Sequence, residues 1–408
     1  MSKPSVLGSA LYQNESTWAA SSSTFSSRFP LINEVDISGL QQASLTNTAT
    51  VQYAGDRATP IRGCYGGSFR TRAHLPGHGS STASGTPTAE EHETVLGYAI
   101  GTQTTSGAAT TATGGTVTAI TTAAASGLTA GGIVFCGSLG DGRGEGQAAV
   151  ISTHSGSSLA VLTAIPAAMT TSDVIASSVI VHPNEAAASQ AITSTRWHLM
   201  SANYQVRAFG CFPMSVTIGG LNPSETPWYE IEWGVSWFTF VAGTFPTTTA
   251  VDTFAPAPMA AGSLFANTRG TSTRVTYAYR SAAITIDLGV QPLYGPGGVD
   301  ANQCIVGAVR GQHTASLEFV VDAGAASTAP DWPTRWDTNS DWHALLTFNG
   351  AATGKRMAFY MPSAWIDDSK PMQFNDGGIN RERVRLVSRT GQTTTSELTL
   401  SSYRIAFG

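Results

Sequence analysis

Apolar and polar positions alternate with a period of two along most of this chain, which predicts strands; a helical period is convincing in one place only. In the run from Phe69 to Leu75, Phe69, Thr71, Ala73 and Leu75 fall on one face, and Arg70, Arg72 and His74 on the other. A glycine loop with His78 at its centre follows. Thr88 then stands at an N-cap position with Glu91 three residues on, and Glu90, Glu91 and Glu93 lie near the positive end of the predicted helix. Val95, Leu96 and Ala99 supply its apolar face, and Gly101 is placed to end it. Gly66 to Gly101 therefore reads as strand, glycine loop and short capped helix, the element around which the rest is organised.

The clearest later strand is Tyr229 to Trp237, with Tyr229, Ile231, Trp233 and Val235 on one face and Glu230, Glu232, Gly234 and Ser236 on the other. One face is predicted buried and the other wet and acidic. Further strands are expected at Val179–Val181, Tyr204–Val206, Ser215–Ile218, Val275–Tyr279, Ala283–Leu288, Ile305–Val309, Ala315–Val321, 344–349, 356–361, Arg383–Val387 and Tyr403–Phe407. From Thr102 to about Ser178 only Asp141, Arg143, Glu145 and Asp173 carry charge, and short strands recur between turn signals. That rhythm predicts a small inserted β-barrel or sandwich on the outside of the main domain. The expected organisation is an extended arm over residues 1–60, a discontinuous β-sandwich of 61–101 and 179–408, and the inserted β module of 102–178. The fold class is all-β with one short helix.

In the arm, Trp18, Phe25, Phe29 and Ile32 are apolar anchors between flexible polar spacers. They suit either a segment that orders against a neighbouring subunit or a loop wrapped on its own domain.

Composition changes the picture in one respect. Charged residues make up 12% of the 408, against roughly 25% in an ordinary soluble domain. A low-charge, Thr- and Gly-rich β-protein suits a surface largely covered by other subunits. The net charge of −5 argues against a nucleic-acid binder with a concentrated basic face. Four widely spaced cysteines form no Cys-x-x-Cys pair, so buried free thiols are expected rather than zinc or a disulfide framework. No run has the length of a membrane span, and no apolar leader follows Met1.

Few residues carry candidate chemistry. No nucleophile elbow, phosphate loop, dinucleotide fingerprint, zincin or EF-hand pattern is present, and no catalytic residue, cofactor or metal site is assigned. His74, His78 and His92 are the nearest approach to a metal set. Asp367-Asp368 offers paired carboxylates, with a solvated turn as the default reading. Arg381, Arg383 and Arg385 alternate along one strand, and inter-subunit ion pairs with the acidic Glu230 and Glu232 are preferred over phosphate contacts.

The strand, Gly-His-Gly loop, Pro87 and helix of Gly67 to Gly101 resemble the corresponding part of tail tube proteins of long, non-contractile tailed bacteriophages (siphovirus type). The Glu15-Ser-Thr-Trp18 segment is similar too, as are the Gly210-Cys-Phe212 turn and the ending from Pro362-Ser-Ala-Trp-Ile through Arg404-Ile-Ala-Phe-Gly408. The resemblance covers most of the chain outside 102–178 and contains no catalytic signature. It implies a non-enzymatic virion protein that closes with copies of itself into hexameric rings, stacked around a tape-measure protein. Tail terminator and tail tip proteins would be its other partners, and DNA would pass through the lumen without specific binding. The implied location is the virion tail, assembled in the host cytoplasm. Glu230 and Glu232 are the candidate lumen lining; Trp18, Phe25, Phe29, Arg70, Arg72, Arg381, Arg383 and Arg385 are the candidate inter-subunit contacts. Two other classes fit the same composition: an icosahedral capsid or decoration protein, and a receptor- or carbohydrate-binding protein using Trp332, Trp336 and Trp342.

Overall fold

The computed structural model describes residues 9–16, 18–19, 27–29, 35–46, 60–75, 78, 85–123, 127–137, 147–165, 167–185, 192–201, 204–222, 225–241, 261–272, 276–277, 279–295, 304–322, 340–349, 356–367, 372–376, 379–389 and 401–408. The expected all-β class with one helix is what forms, with a closed six-stranded barrel beside large sheets.

Eight strands make a continuous antiparallel front sheet. Their spatial order is β3 (Leu40–Thr46), β4 (Pro60–His74), β15 (Trp228–Val235), the second half of β14 (Tyr204–Gly219), β19 (Tyr279–Asp287), β22 (Thr314–Asp322), β26 (Ile379–Ser388) and β25 (Met372–Asp376). Period-two patterning dictates the two faces. Phe69, Thr71 and Ala73, Tyr229, Ile231 and Trp233, Val216 and Ile218, Ile284 and Ile286, and Leu317 and Phe319 all point into the core. Arg70, Glu232, Ser215, Asp287 and Thr314 form one cross-strand row on the opposite face.

Two backing sheets cover the apolar face. The first is β2 (Ser27–Phe29), β1 (Ser9–Asn14), β13 (Thr195–Ser201), the first half of β14 and β16 (Trp237–Val241). Trp197 of β13 meets Trp233 at a ring-centroid distance of 4.9 Å and Phe69 at 5.7 Å, which joins this sheet to the front one. The second backing sheet is β5 (Thr102–Thr105), β12 (Val179–His182), β27 (Arg404–Phe407), the first half of β24 (Arg356–Ile366), β23 (Trp342–Asn349), β17 (Ala261–Thr268) and β18 (Thr276–Tyr277). Phe359 and Ile405 of this sheet share a core with Phe319 and Val384 of the front sheet. The far end of β24, Ala364–Ile366, leaves the second backing sheet and pairs with β26 in front. Residues 1–60, expected as an extended arm, thus place three strands in the chain's own sheets.

The helix α1 (Glu91–Ile100) is the only one among the described residues. Its N-cap is Glu90 rather than Thr88: Glu93 accepts a hydrogen bond from the Glu90 backbone N–H at 2.8 Å, so the box is Glu-x-x-Glu, two residues downstream of the expected start. Gly101 ends the helix as expected, and a Cβ there would meet the backbone N of Asn184 at 2.7 Å. Arg310 of the hairpin β20 (Val290–Tyr294) and β21 (Ile305–Arg310) closes the helix C-terminus. Its guanidinium donates to the carbonyls of Tyr98 at 3.2 Å, Ala99 at 2.7 Å, and Ile100.

The segment expected as an insert divides. Thr102–Thr105 belongs to the second backing sheet, whereas β6 (Thr110–Gly115), β7 (Ala119–Thr122), β8 (Ile133–Gly137), β9 (Gln147–Ser155), β10 (Ser158–Val161) and β11 (Val174–Ala176) close a barrel in the order β10, β7, β6, β11, β8, β9. The barrel has its own interior of Ile120, Val134, Ile151, Leu159 and Ile175. Its outer face, through Ile133, Phe135, Ala148 and Val150, packs on Phe265, Leu345, Tyr360 and Ala406 of the second backing sheet. Buried Arg404 spans this junction, donating to the Gly131 carbonyl at 2.8 Å and to Ser401 Oγ at 2.9 Å. Burial lowers its pKa to about 10, opposed by Tyr360 and Glu185, so it remains a cation at neutral pH.

Candidate functional site

The front sheet's polar face is the largest functional candidate. Arg72 and Glu230 are register partners on β4 and β15, as are Arg70 and Glu232. The first pair closes to 3.0 Å and the second to 3.4 Å, and the Arg72 guanidinium also lies 3.9 Å over the Trp228 ring. Two residues expected to line a lumen and two expected to reach a neighbour are therefore one cross-strand ladder within the chain. The wet acidic strand anticipated at Glu230 and Glu232 is corrected to a charge-balanced one, because β4 is its direct neighbour and brings the guanidinium groups.

Arg381, Arg383 and Arg385 also have acidic partners within the chain. Arg381 pairs with Asp322 at 3.2 Å, Arg383 with Glu318 at 3.4 Å, and Arg385 with Asp367 at 2.9 Å. None of the three reaches Glu230 or Glu232 in these pairs. Burial also separates them, since Arg381 is buried while Arg383 and Arg385 are exposed. Each exposed pair contributes only about 0.2–1 kcal/mol. Their larger effect is mutual cancellation: between the pairs stand Ser215, Thr217, Ala283 and Thr285, so the face is polar, small-featured and without a dominant sign of charge.

A second cluster fixes the edge of the first backing sheet. The buried Glu15 carboxylate accepts hydrogen bonds from the backbone N–H of Ala19 at 2.8 Å, the Gly210 N–H at 3.2 Å, and the Ser194 hydroxyl. Burial raises its pKa above the ordinary carboxylate value, with those hydrogen bonds and Arg196 opposing. Trp18 stacks on Phe212 with centroids 6.1 Å apart and donates from Nε1 to Ser236 Oγ at 3.1 Å and the Ile305 carbonyl at 3.2 Å. Trp18, expected between subunits, thus has in-chain partners. Phe29 lies in β2 opposite Ala10; Phe25 lies outside the described residues. Sequence reasoning singled out Glu15 to Trp18 and Gly210 to Phe212 separately. No local signal joins segments 195 residues apart.

The histidines do not converge on a metal. His78 Nδ1 lies 2.7 Å from Glu93 Oε1, both side chains wholly buried. Burial alone would lower the His78 pKa; the hydrogen bond and charge of Glu93 reverse that and raise it. The pair ties the glycine loop to α1. His92 packs edge-on against Phe407 at 5.5 Å, and His74 lies at the end of β4. Among the described residues, no group of three or more His, Cys, Asp or Glu side chains is arranged to hold a metal ion.

Cysteine chemistry differs in part from expectation. Cys136 and Cys211 are free and buried, but Cys304 is disulfide-bonded. Of the aromatic loop, Trp332 and Trp336 lie outside the described residues, and Trp342 belongs to β23 with 1% of its surface exposed, so it offers no ring to a sugar. Asp367 is committed to Arg385, and Asp368 lies outside the described residues. A polar cleft of about 540 Å³ is lined by Glu185, Arg269, His313, Asp341, Trp365 and Arg389 among others. Its side chains have partners within the chain: Arg269 pairs with Asp341 at 3.1 Å, His313 lies 3.2 Å from Glu185, and Arg389 lies 4.7 Å over the Trp365 ring.

No protein-family model matches the chain, and no curated protein matches it. A solved structure titled "Cryo-EM structure of the anti-feeding prophage (AFP) baseplate, 6-fold symmetrised" is similar over 35% of this chain and 92% of that chain, with 11% identity and a TM-score of 0.24. A similarity of that size carries no weight for fold or function.

Proposed function

We propose that this chain is a non-enzymatic structural protein of a phage virion, whose copies close into rings that stack as the tail tube. The observation that carries this reading is the front sheet from β4 to β19: one face carries core side chains, while the other presents hydroxyls and carboxylates beside Arg70 and Arg72 paired with Glu232 and Glu230. A conduit for DNA needs such a lining. A basic face would hold phosphates through counterion release and stall the strand. A face of small hydroxyls with self-paired Arg and Glu side chains presents little net field to a moving polyanion. The lumen lining is then the ladder Arg70, Arg72, Glu230 and Glu232 together with Ser215, Thr217, Thr285 and Asp287. The barrel of Thr110–Ala176 docks on the second backing sheet, on the side away from that lining, and decorates the outside of the tube.

The implied partners are further copies of the chain, a tape-measure protein within the lumen, and terminator and tip proteins at the ends. The location is the virion tail, after assembly in the host cytoplasm. The test is electron microscopy of the purified protein at high concentration, alone and with a tail initiator complex. Rings or tubes with a central pore are expected. A monodisperse monomer under both conditions rejects the reading.

A further inference from the structure

We propose that the polar cleft at the ends of β17, β22, β23 and β26 is a saccharide site, which holds a neutral mono- or disaccharide through its hydroxyls; the conduit reading makes no use of these residues, and the two stand independently.

Strand ends make the cleft. Arg269 directly follows β17, Asp341 directly precedes β23, His313 directly precedes β22, and Arg389 directly follows β26. Glu185 stands just after β12 and Ser402 just before β27. Ser363 and Trp365 lie where β24 passes from the second backing sheet into the front one. Backbone bonds lock this junction. The Arg389 N–H donates to the Ser363 carbonyl at 2.9 Å, the Arg269 N–H to the Asp341 carbonyl at 2.9 Å, and the Ala315 N–H to Ser388 Oγ at 2.9 Å. Groups held on strand ends in this way lose little freedom when a ligand arrives.

The polar side chains also orient one another. Asp341 accepts from Ser363 Oγ at 2.7 Å through Oδ1 and from Arg269 Nη1 at 3.1 Å through Oδ2. Glu185 Oε1 accepts from the Ser402 N–H at 2.6 Å and faces His313 Nε2 at 3.2 Å. Burial alone would raise the Glu185 pKa; the bonds from His313 and Ser402 reverse that and lower it, so the group is a carboxylate at neutral pH. These contacts use Oε1 of Glu185, Nη1 of Arg269 and Nε2 of His313. The second carboxylate oxygen, the rest of the guanidinium fork and Nδ1 are the atoms a ligand would meet.

Charge, hydrogen-bond character and shape select the ligand. The guanidinium groups of Arg269 and Arg389 are matched in number by the carboxylates of Glu185 and Asp341, so a phosphate or sulfate finds no cationic excess. A sugar hydroxyl donates and accepts at once. Vicinal hydroxyls can therefore bridge a carboxylate and a neighbouring guanidinium. The half-buried Trp365 adds an apolar wall for the C–H face of a pyranose, and its ring is ordered by Arg389 at 4.7 Å. The volume of about 540 Å³ falls within the range of about 300–1,000 Å³ that small-molecule sites occupy.

The histidine geometry favours binding over hydrolysis. Ser402 Oγ lies 3.3 Å from His313 Nε2, the same nitrogen that faces Glu185. A serine nucleophile needs its histidine to take the hydroxyl proton on one ring nitrogen while a carboxylate holds the other. Ser402 is not activated in that way.

The test is saturation-transfer NMR on the full-length chain with glucose, galactose, mannose, N-acetylglucosamine, maltose and lactose as probes. Transfer to at least one of these sugars is expected. Asp341→Asn and Arg389→Gln should each weaken that binding by about tenfold or more, the loss of a hydrogen bond to a charged group. Thr153→Ala, at an exposed position on the barrel, should leave it unchanged. Urea midpoints establish that each variant is folded. If a variant is not, hydrogen exchange on the native protein decides: the bound sugar should slow exchange at residues 311–314 and 386–389, and no slowing there overturns the proposal. Transfer that survives both cleft substitutions places the sugar elsewhere and overturns it. So does the absence of transfer to every probe, or tighter binding of inorganic phosphate than of any sugar. None of these results bears on ring formation, so the conduit reading is decided separately by microscopy.

Discussion

The carboxylate of Glu15 receives the backbone N–H of Gly210 at 3.2 Å, at a point where β14 turns from the backing sheet into the front sheet. Gly210 has φ +58°, a conformation that costs an L side chain strain. The Ser236 hydroxyl donates to the Gly210 carbonyl at 3.0 Å and receives Trp18 Nε1 at 3.1 Å, so Glu15, Trp18, Ser236 and Gly210 form one hydrogen-bonded corner.

Substituting Gly210 by Ala tests that corner directly. A Cβ there would meet Ser236 Oγ at 2.4 Å and Ser236 Cβ at 2.7 Å, besides the strained φ. The expected loss is about 1–3 kcal/mol of unfolding free energy, read as a lower midpoint in urea denaturation. An unchanged midpoint would show that the backbone does not need glycine here.

Glu15 also gives stability a pH dependence. Burial raises its folded-state pKa above the ordinary value of 4.5, against its hydrogen bonds. The folded state therefore holds this proton more tightly than the unfolded state. The contribution is fully present below about pH 4.5 and is lost as pH rises through the raised pKa. Glu15→Gln should flatten the fall in stability between pH 4.5 and 7, compared by denaturant titration at both values. Parallel pH profiles for the two proteins would remove Glu15 as the cause.

Arg310 is expected to matter through α1. Its guanidinium serves three terminal carbonyls of a helix whose last turn carries no basic residue of its own. Replacing Arg310 by Met should cost about 1.5–3 kcal/mol, the range for hydrogen bonds to a charged group. Arg310→Lys should recover only part of that, since an ammonium lacks the planar fork. Full recovery by Lys would mean that charge alone, and not the fork, closes the helix.

The barrel should loosen when Arg404 is replaced by Met, which removes donors from the Gly131 carbonyl and from Ser401. Faster proteolysis between Ser106 and Ala109 or at Ser177–Ser178 is expected, with the barrel and the main body surviving as separate fragments. Cleavage no faster than in the native protein would place the docking energy wholly in the apolar contacts of Phe135 and its neighbours.

On the polar face of the front sheet, single substitutions should be mild. Arg72→Glu is expected to cost under about 1 kcal/mol because Arg72 and Glu230 are both partly exposed. The exchange Arg72→Glu with Glu230→Arg should restore stability, measured as a double-mutant cycle. A coupling energy of several kcal/mol would show that the ladder holds the sheet together rather than balancing its charge.

Much of this fold is written locally. The alternations Phe69-Thr71-Ala73-Leu75 and Tyr229-Ile231-Trp233-Val235 announce their faces because one side of each strand is buried and the other is wet. What the local pattern does not carry is partner identity. Glu230 and Glu232 look like an acidic surface until β4 lies beside them, and the Arg residues that cancel them are about 160 positions away. The same limit hid the destination of Trp18, the partners of Arg381, Arg383 and Arg385, and the cap supplied by Arg310. The helix starts elsewhere for a different reason: Thr88 with Glu91 satisfies the short-range cap pattern and Glu90 does not, yet Glu93 bonds to the Glu90 backbone N–H and sets the start two residues later.

Strands β14 and β24 are each hydrogen-bonded in two sheets at once, which gives the molecule a mechanical property. A load that pulls on the front sheet is transmitted along a covalent backbone into the layer behind it, rather than across side-chain contacts alone. Peeling either layer requires breaking backbone ladders in both. The two layers are thus stitched together through the thickness of the molecule at two places, and the front one cannot delaminate from those behind it without the chain itself unravelling.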